Sequence, residues 1–227
     1  MWVLIGAAAS TALALSHLLV IVPMLPEPDE EEVGSEVLAL KPRYRSLVTA
    51  RRTATLALIA ALCGGMSAMS PAWGRGLWWV WAGSALTLIA VDQATTFLPR
   101  RLWAWCLIES LLALAGGAAV VGLPASVLAA TAALAVAATV PFWLMWRLGG
   151  GLGFGDVRLA GTMGLTGAAL GTTGWALALF AAAVAGALLA IGITIVRRFR
   201  PSPWGPVFAY GPALWVGPWA ALAIFSL

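Results

Sequence analysis

The chain has 227 residues, 62% of them apolar and 10% charged, with 13 Trp, one His, two Cys and a formal net charge of +4. Its mean hydropathy of +0.95 excludes a water-soluble globular domain and describes a chain dissolved mostly in lipid. Two cysteines exclude a disulfide framework and a cysteine-based zinc site.

A spanning helix needs about 20 mainly apolar residues. In chain order the sequence supplies about eight such stretches: 2–24, 53–71, 77–92, 102–121, 126–146, 159–173, 175–196 and 213–227. The expected fold is therefore all-α, a polytopic membrane helix bundle. The sixth and eighth stretches, at about 15 residues each, are short for spans. Lys and Arg concentrate in cytoplasmic loops, which tests the order. With the N-terminus outside, the inner loops carry Lys41, Arg43, Arg45, Arg51 and Arg52, then Arg100 and Arg101, then Arg147 and Arg158, then Arg197, Arg198 and Arg200. Arg75 alone falls outside. The basic excess is thus topogenic, and no nucleic-acid partner is expected. Trp73, Trp78 and Trp79 at the outer ends, and Trp103, Trp105, Trp143 and Trp146 at the inner ends, read as interfacial belts in contact with lipid. The first stretch lacks a basic leader and its charges follow it, so it reads as an uncleaved first helix.

The polar segment PEPDEEEVGSEVLALKPRYRSLVTARR, residues 26–52, is acidic first and basic afterwards. A segment this small cannot enclose a core. The expected organisation is a first transmembrane helix (1–25), a short charged cytoplasmic loop (26–52) and a membrane-embedded domain (53–227). Ser35 is a candidate helix start, and YRSLVTARR suits the surface of an anionic leaflet.

Six of the nine acidic residues lie in that loop, leaving Asp92, Glu109 and Asp156 in or beside the spans. An ionisable group in hydrocarbon costs about 2.5 to 3.5 kcal/mol on insertion scales, so each is a functional candidate. Asp92 closes the third stretch and Asp156 opens the sixth, both at the inner face. A compact bundle can bring them together, and two adjacent carboxylates then share one proton. Such a pair can activate water with its ionised member and polarise a peptide carbonyl with the other, needing neither metal nor cofactor. Glu109, about two turns into the fourth stretch, is either a third proton-handling or substrate-contacting group or an acid hydrogen-bonded between helices. His17 has no acid or second histidine at ligand spacing and reads as a packed or water-lined residue.

The glycine run RLGGGLGFGDVRLAGTMG, residues 147–164, fits no phosphate-binding register. Its glycines permit positive φ and the close approach of another backbone, as at the mouth of a site. Ala160, Gly164 and Ala168, with Gly167 and Gly171, form a small-residue stripe suited to close helix packing.

GFGDVRLAGTMG resembles the G-x-G-D-x-K-L signature of type IV prepilin peptidases, membrane aspartic proteases that remove the leader of pilin-like precursors. VDQATTFLPRRL resembles that family's other aspartate motif, an Asp followed by Leu-Pro, and PSPWGPVFAYGPAL (201–214) is similar to its segment before the last helix. The likeness spans roughly residues 53–225 in order and spacing. It implies Asp92 and Asp156 as the catalytic dyad and Gly153 and Gly155 as loop-shaping residues; Pro99 and Arg158 within the motifs, and Glu109 from its place in the fourth stretch, are further candidates for shaping the loop or contacting substrate. It also implies a prepilin-like protein substrate, a bacterial plasma-membrane location and no cofactor. Two departures stand out. Residues 26–52 contain no cysteine where many members carry a zinc-binding segment linked to N-methylation, so methyltransferase activity is expected to be absent. Arg158 stands where Lys is usual, and the two are not equivalent in hydrogen-bond geometry. The competing readings are a proton-coupled transporter using Asp92, Glu109 and Asp156 as a relay, and an inactive structural homologue.

Overall fold

The computed structural model describes residues 1–27, 41–149, 152–199 and 208–226. Among these there is no strand, and the chain forms eight continuous helices. Helix α1 (Trp2–Met24) opens into a π turn at His17–Ile21 and tightens to a 3-10 turn at Val22–Met24. Pro23, with no N–H to donate, ends it there. Helix α2 (Ala50–Met69) starts three residues before the apolar stretch that predicts it. The Thr49 side chain accepts the Arg52 N–H and caps the helix, so the arginines of its first turn are helical although they are not apolar. Helix α3 covers residues 75–95 and holds a second π turn, Trp81–Ala85. Then follow α4 (Arg100–Val121), α5 (Ala125–Arg147), α6 (Phe154–Ala168), α7 (Gly171–Phe199) and α8 (Gly211–Phe225). The order and number match the hydropathy reading, and five of the helices are long and apolar enough to cross a membrane.

The sixth helix departs from the expected 159–173. It begins at Phe154 and ends at Ala168, and the predicted break at residue 174 falls inside α7. Hydropathy starts a helix where the charges stop. The backbone starts α6 at Gly153, whose N–H is taken by the Asp156 side chain at 3.1 Å, and turns at Gly171, whose φ is +77°. Asp156 is therefore the third residue of the helix and lies within it. Helices α6 and α8 have 15 residues each and rise about 22 Å, short of a hydrocarbon core of about 30 Å.

Three sequential pairs, α1 with α2, α5 with α6 and α7 with α8, make the most extensive contacts. Without water to exclude, helices in lipid associate by close packing of small residues, and each pair shows it. Gly6 of α1 and Gly64 of α2 leave no room for a Cβ against each other's backbone. A Cβ at Gly164 would lie 2.6 Å from that of Ala138 on α5 and one at Gly167 would lie 3.2 Å from that of Ala178 on α7, so these members of the small-residue stripe pack closely, whereas Gly171 lies beyond α6 at a turn with φ +77° and an open Cβ position. Gly217 of α8 abuts the Ala178 carbonyl of α7 in the same way. Helix α8 also contacts both α3 and α6, which brings three helix ends to one place.

The central core holds Trp78, Trp81, Leu88, Leu102, Met163, Leu214 and Leu222, all fully buried. Trp78 corrects the belt reading. It packs on Trp219 with ring centroids 5.0 Å apart and faces no lipid. Trp105, Trp143 and Trp146 are exposed, as belt residues are. From the charged segment, Tyr44 and Leu47 are buried in the same core, so YRSLVTARR is anchored in protein at two positions and is not laid wholly on a lipid surface. The helix start expected at Ser35 lies outside the described residues.

Candidate active site

Asp92 sits in the last turn of α3 and Asp156 in the first turn of α6, 3% and 7% exposed. Asp156 is close enough for its charge to act on Asp92. Tyr210, immediately before α8, feels the same Asp156 charge. Asp92 Oδ2 accepts the Gly211 N–H, the first of α8, at 3.2 Å. Asp156 Oδ2 accepts the Gly153 N–H. The other oxygen of each carboxylate takes no hydrogen bond from the described residues. Two helix N-termini thus converge on the two acids, and their exposed N–H groups and positive dipole ends favour anionic oxygens.

The segment after Asp92 touches the segment before Asp156 at Leu98 and Gly155. Helix α3 ends at Thr96, in the left-handed region with φ +57° and with its N–H bonded to the Asp92 carbonyl at 2.6 Å. The chain then runs through Leu98 to Pro99, which caps α4 and accepts the Trp103 N–H with its carbonyl at 3.0 Å. Leu98 lands on Gly155, where an added Cβ would lie 2.5 Å from the leucine Cβ. Gly155 is needed for this approach and not for a positive φ. Gly153 has extended backbone at φ −77°, so neither glycine shapes the site through the left-handed conformation expected of the run. Gly149 does adopt it, at φ +77°. Gly150 and Gly151 lie outside the described residues.

Arg158 makes no ion pair or hydrogen bond with either aspartate. Its guanidinium lies 4.8 Å from the Phe154 ring centre and 5.8 Å from that of Trp103, and its carbonyl accepts the Trp103 indole N–H at 3.0 Å. Its side chain is held over two aromatic rings and away from the carboxylates, so the Arg-for-Lys departure bears on cation–π packing and not on a contact with the dyad. Glu109 is not brought to the dyad either. His17 Nε2 lies 2.8 Å from Glu109 Oε1, and the Ser84 hydroxyl donates a short hydrogen bond to Oε2. The partner that His17 lacks within hydrogen-bonding reach in sequence comes from a helix 92 residues away. Both His17 and Ser84 sit in π turns, a geometry enriched at functional positions. His17 Nδ1 is buried with no hydrogen-bond partner among the described residues.

Three residues at the site carry no sequence signal of their own. Gly211 and Tyr210 lie where α8 begins, and nothing in the sequence says that an amide there reaches Asp92. Lys41, from the charged loop, donates to Thr96 Oγ1 at 2.7 Å and sits 3.6 Å from the Phe97 ring centre. In the sequence it is one of several loop cations. Among the described residues no cluster of three His, Cys, Asp or Glu side chains is placed to hold a metal ion, and both cysteines are free thiols. No family model, curated protein or solved structure matches this chain.

Proposed function

We propose that this protein is an intramembrane aspartic endopeptidase that cleaves the leader of type IV prepilin-like precursors at the cytoplasmic face of a bacterial plasma membrane. The observation that carries the reading is that Asp92 and Asp156, 64 residues apart in sequence, are both buried, each accept a backbone N–H, and lie near enough for the charge of Asp156 to act on Asp92. In the proposed reaction the ionised carboxylate takes a proton from water as its oxygen attacks the scissile carbonyl carbon. The protonated carboxylic acid donates a hydrogen bond to the carbonyl oxygen. Collapse of the tetrahedral adduct returns a proton to the leaving amine, so the dyad regains its single shared proton and no covalent enzyme intermediate forms. The Leu98 contact on Gly155 holds the two acid-bearing helix ends in register. The cysteine-free charged loop offers no thiolate ligands, which favours peptide cleavage without methyl transfer.

A proton relay through all three membrane acids is less well supported. Glu109 is committed to His17 and Ser84, and Ser84 lies eight residues from Asp92 on α3, about 12 Å along the helix. The test is to incubate purified wild type, Asp92→Asn and Asp156→Asn in detergent with a prepilin-like precursor and to follow leader loss by mass spectrometry. Cleavage by wild type, its loss in both folded variants and an unmethylated new amino terminus are expected. Cleavage by either variant at the wild-type rate overturns the proposal.

A further inference from the structure

We infer that Lys41, the chain's only lysine, is a positioning residue for Asp92: its ammonium clamps the turn that ends α3 and sets a positive charge against the carboxylate. The inference rests on the peptidase reading for its consequence, and on geometry for the contact itself. Thr96 is the only non-glycine residue with positive φ among those described. A β-branched residue there is strained and persists only where its surroundings over-determine it. Lys41 provides that restraint twice, through the 2.7 Å hydrogen bond to Thr96 Oγ1 and by lying over the neighbouring Phe97 ring. The Thr96 N–H is bonded in turn to the Asp92 carbonyl, so the clamp acts one hydrogen bond from the residue that carries the carboxylate.

Lys41 is itself held from behind. Tyr44 and Leu47 are buried in the core, the Tyr44 N–H bonds Glu27 Oε1 at 2.9 Å, and Arg45 Nε donates to the Pro23 carbonyl at 3.1 Å. No carboxylate forms an ion pair with Lys41 among the described residues. The charge that acts on it is that of Asp92, with Asp156 of α6 and Tyr210 before α8 beyond, and Tyr44 and Glu27 on its own side. Burial lowers the Lys41 pKa from its ordinary value and the Asp92 charge opposes that fall. The loop between α1 and α2 therefore contributes a working part of the site, where its composition points to a charged loop or a segment on the leaflet surface.

A single lysine makes the test selective. The pH dependence of Lys41 acetylation by acetic anhydride is followed by mass spectrometry in wild type and Asp92→Asn, in detergent and without any substrate. The wild-type midpoint should lie below that of a free lysine. It should fall further in Asp92→Asn, because the charge that raises it is gone. An unmoved midpoint overturns the contact. In the cleavage assay Lys41→Met should lower kcat roughly tenfold, as expected for loss of a charged hydrogen bond, with little change in KM, and Lys41→Arg should restore most of it. Thr96→Ala removes the acceptor and leaves the charge, so it should lower kcat by less while the acetylation midpoint still responds to Asp92→Asn. A moved midpoint together with undiminished cleavage by Lys41→Met overturns the positioning role. Failure of wild type to cleave any precursor, with the midpoint shift intact, instead overturns the peptidase reading.

Discussion

The molecule holds two sets of acids inside its helices, and they are held differently. Asp92 and Asp156 lie at helix ends, each with one oxygen on a backbone N–H from Gly211 or Gly153. Glu109 lies well within α4, with one oxygen on His17 and the other on Ser84. A backbone amide at a helix N-terminus is an unsatisfied donor that needs an acceptor in any case, and among the described residues the second oxygen of each carboxylate has no other protein donor. Two side chains drawn from two other helices consume both oxygens of Glu109 and tie α1, α3 and α4 together. The first arrangement suits an acid that must exchange protons with water and substrate. The second suits an acid that fixes helices. The identity of the donors, backbone amides in one case and side chains in the other, separates the two cases.

The comparison can be broken most directly at the dyad. Asp92→Asn and Asp156→Asn should each lower the cleavage rate by about 10²- to 10⁴-fold, the range for loss of a positioned acid or base, with helix content by circular dichroism unchanged. A milder loss is expected from crowding the same point. A Cβ at Gly211 would lie 2.6 Å from Asp92 Oδ2, and one at Gly155 would drive into Leu98. Gly211→Ala and Gly155→Ala should therefore displace the carboxylates and cost about 10- to 10²-fold in kcat, since misplacements near 1 Å carry penalties of that order. Normal kcat in both would show that the dyad needs no such packing.

Glu109 sharpens the contrast from the other side. Glu109→Gln and His17→Ala should lower unfolding stability in detergent by about 0.6 to 2 kcal/mol, the range for interhelical hydrogen bonds, and leave the cleavage rate unchanged. The double variant should lose less than the sum, because both remove one contact. A fall in kcat with unchanged stability would move Glu109 into the reaction. The smallest effect belongs to Arg158→Lys, which keeps a cation over Phe154 and should change stability by no more than about 1 kcal/mol without altering cleavage.

Much of this architecture can be read before folding. Eight apolar stretches in order, the clustering of basic residues and the intramembrane acids follow from the cost of charge and of unpaired backbone in lipid, which is local and additive along the chain. The same physics misplaces the start of α6 by five residues, because hydropathy does not register a helix that begins on glycine with a buried acid in its first turn. It also places Trp78 in a belt, since an indole at a helix end reads alike whether it meets lipid or Trp219. What only the tertiary structure decided was who meets whom. The pairing of His17 with Glu109, the Gly211 amide on Asp92, Leu98 on Gly155 and Lys41 on Thr96 join elements far apart in sequence. Each depends on which helices pack side by side, and a one-dimensional pattern of charge and apolarity carries no record of those contacts.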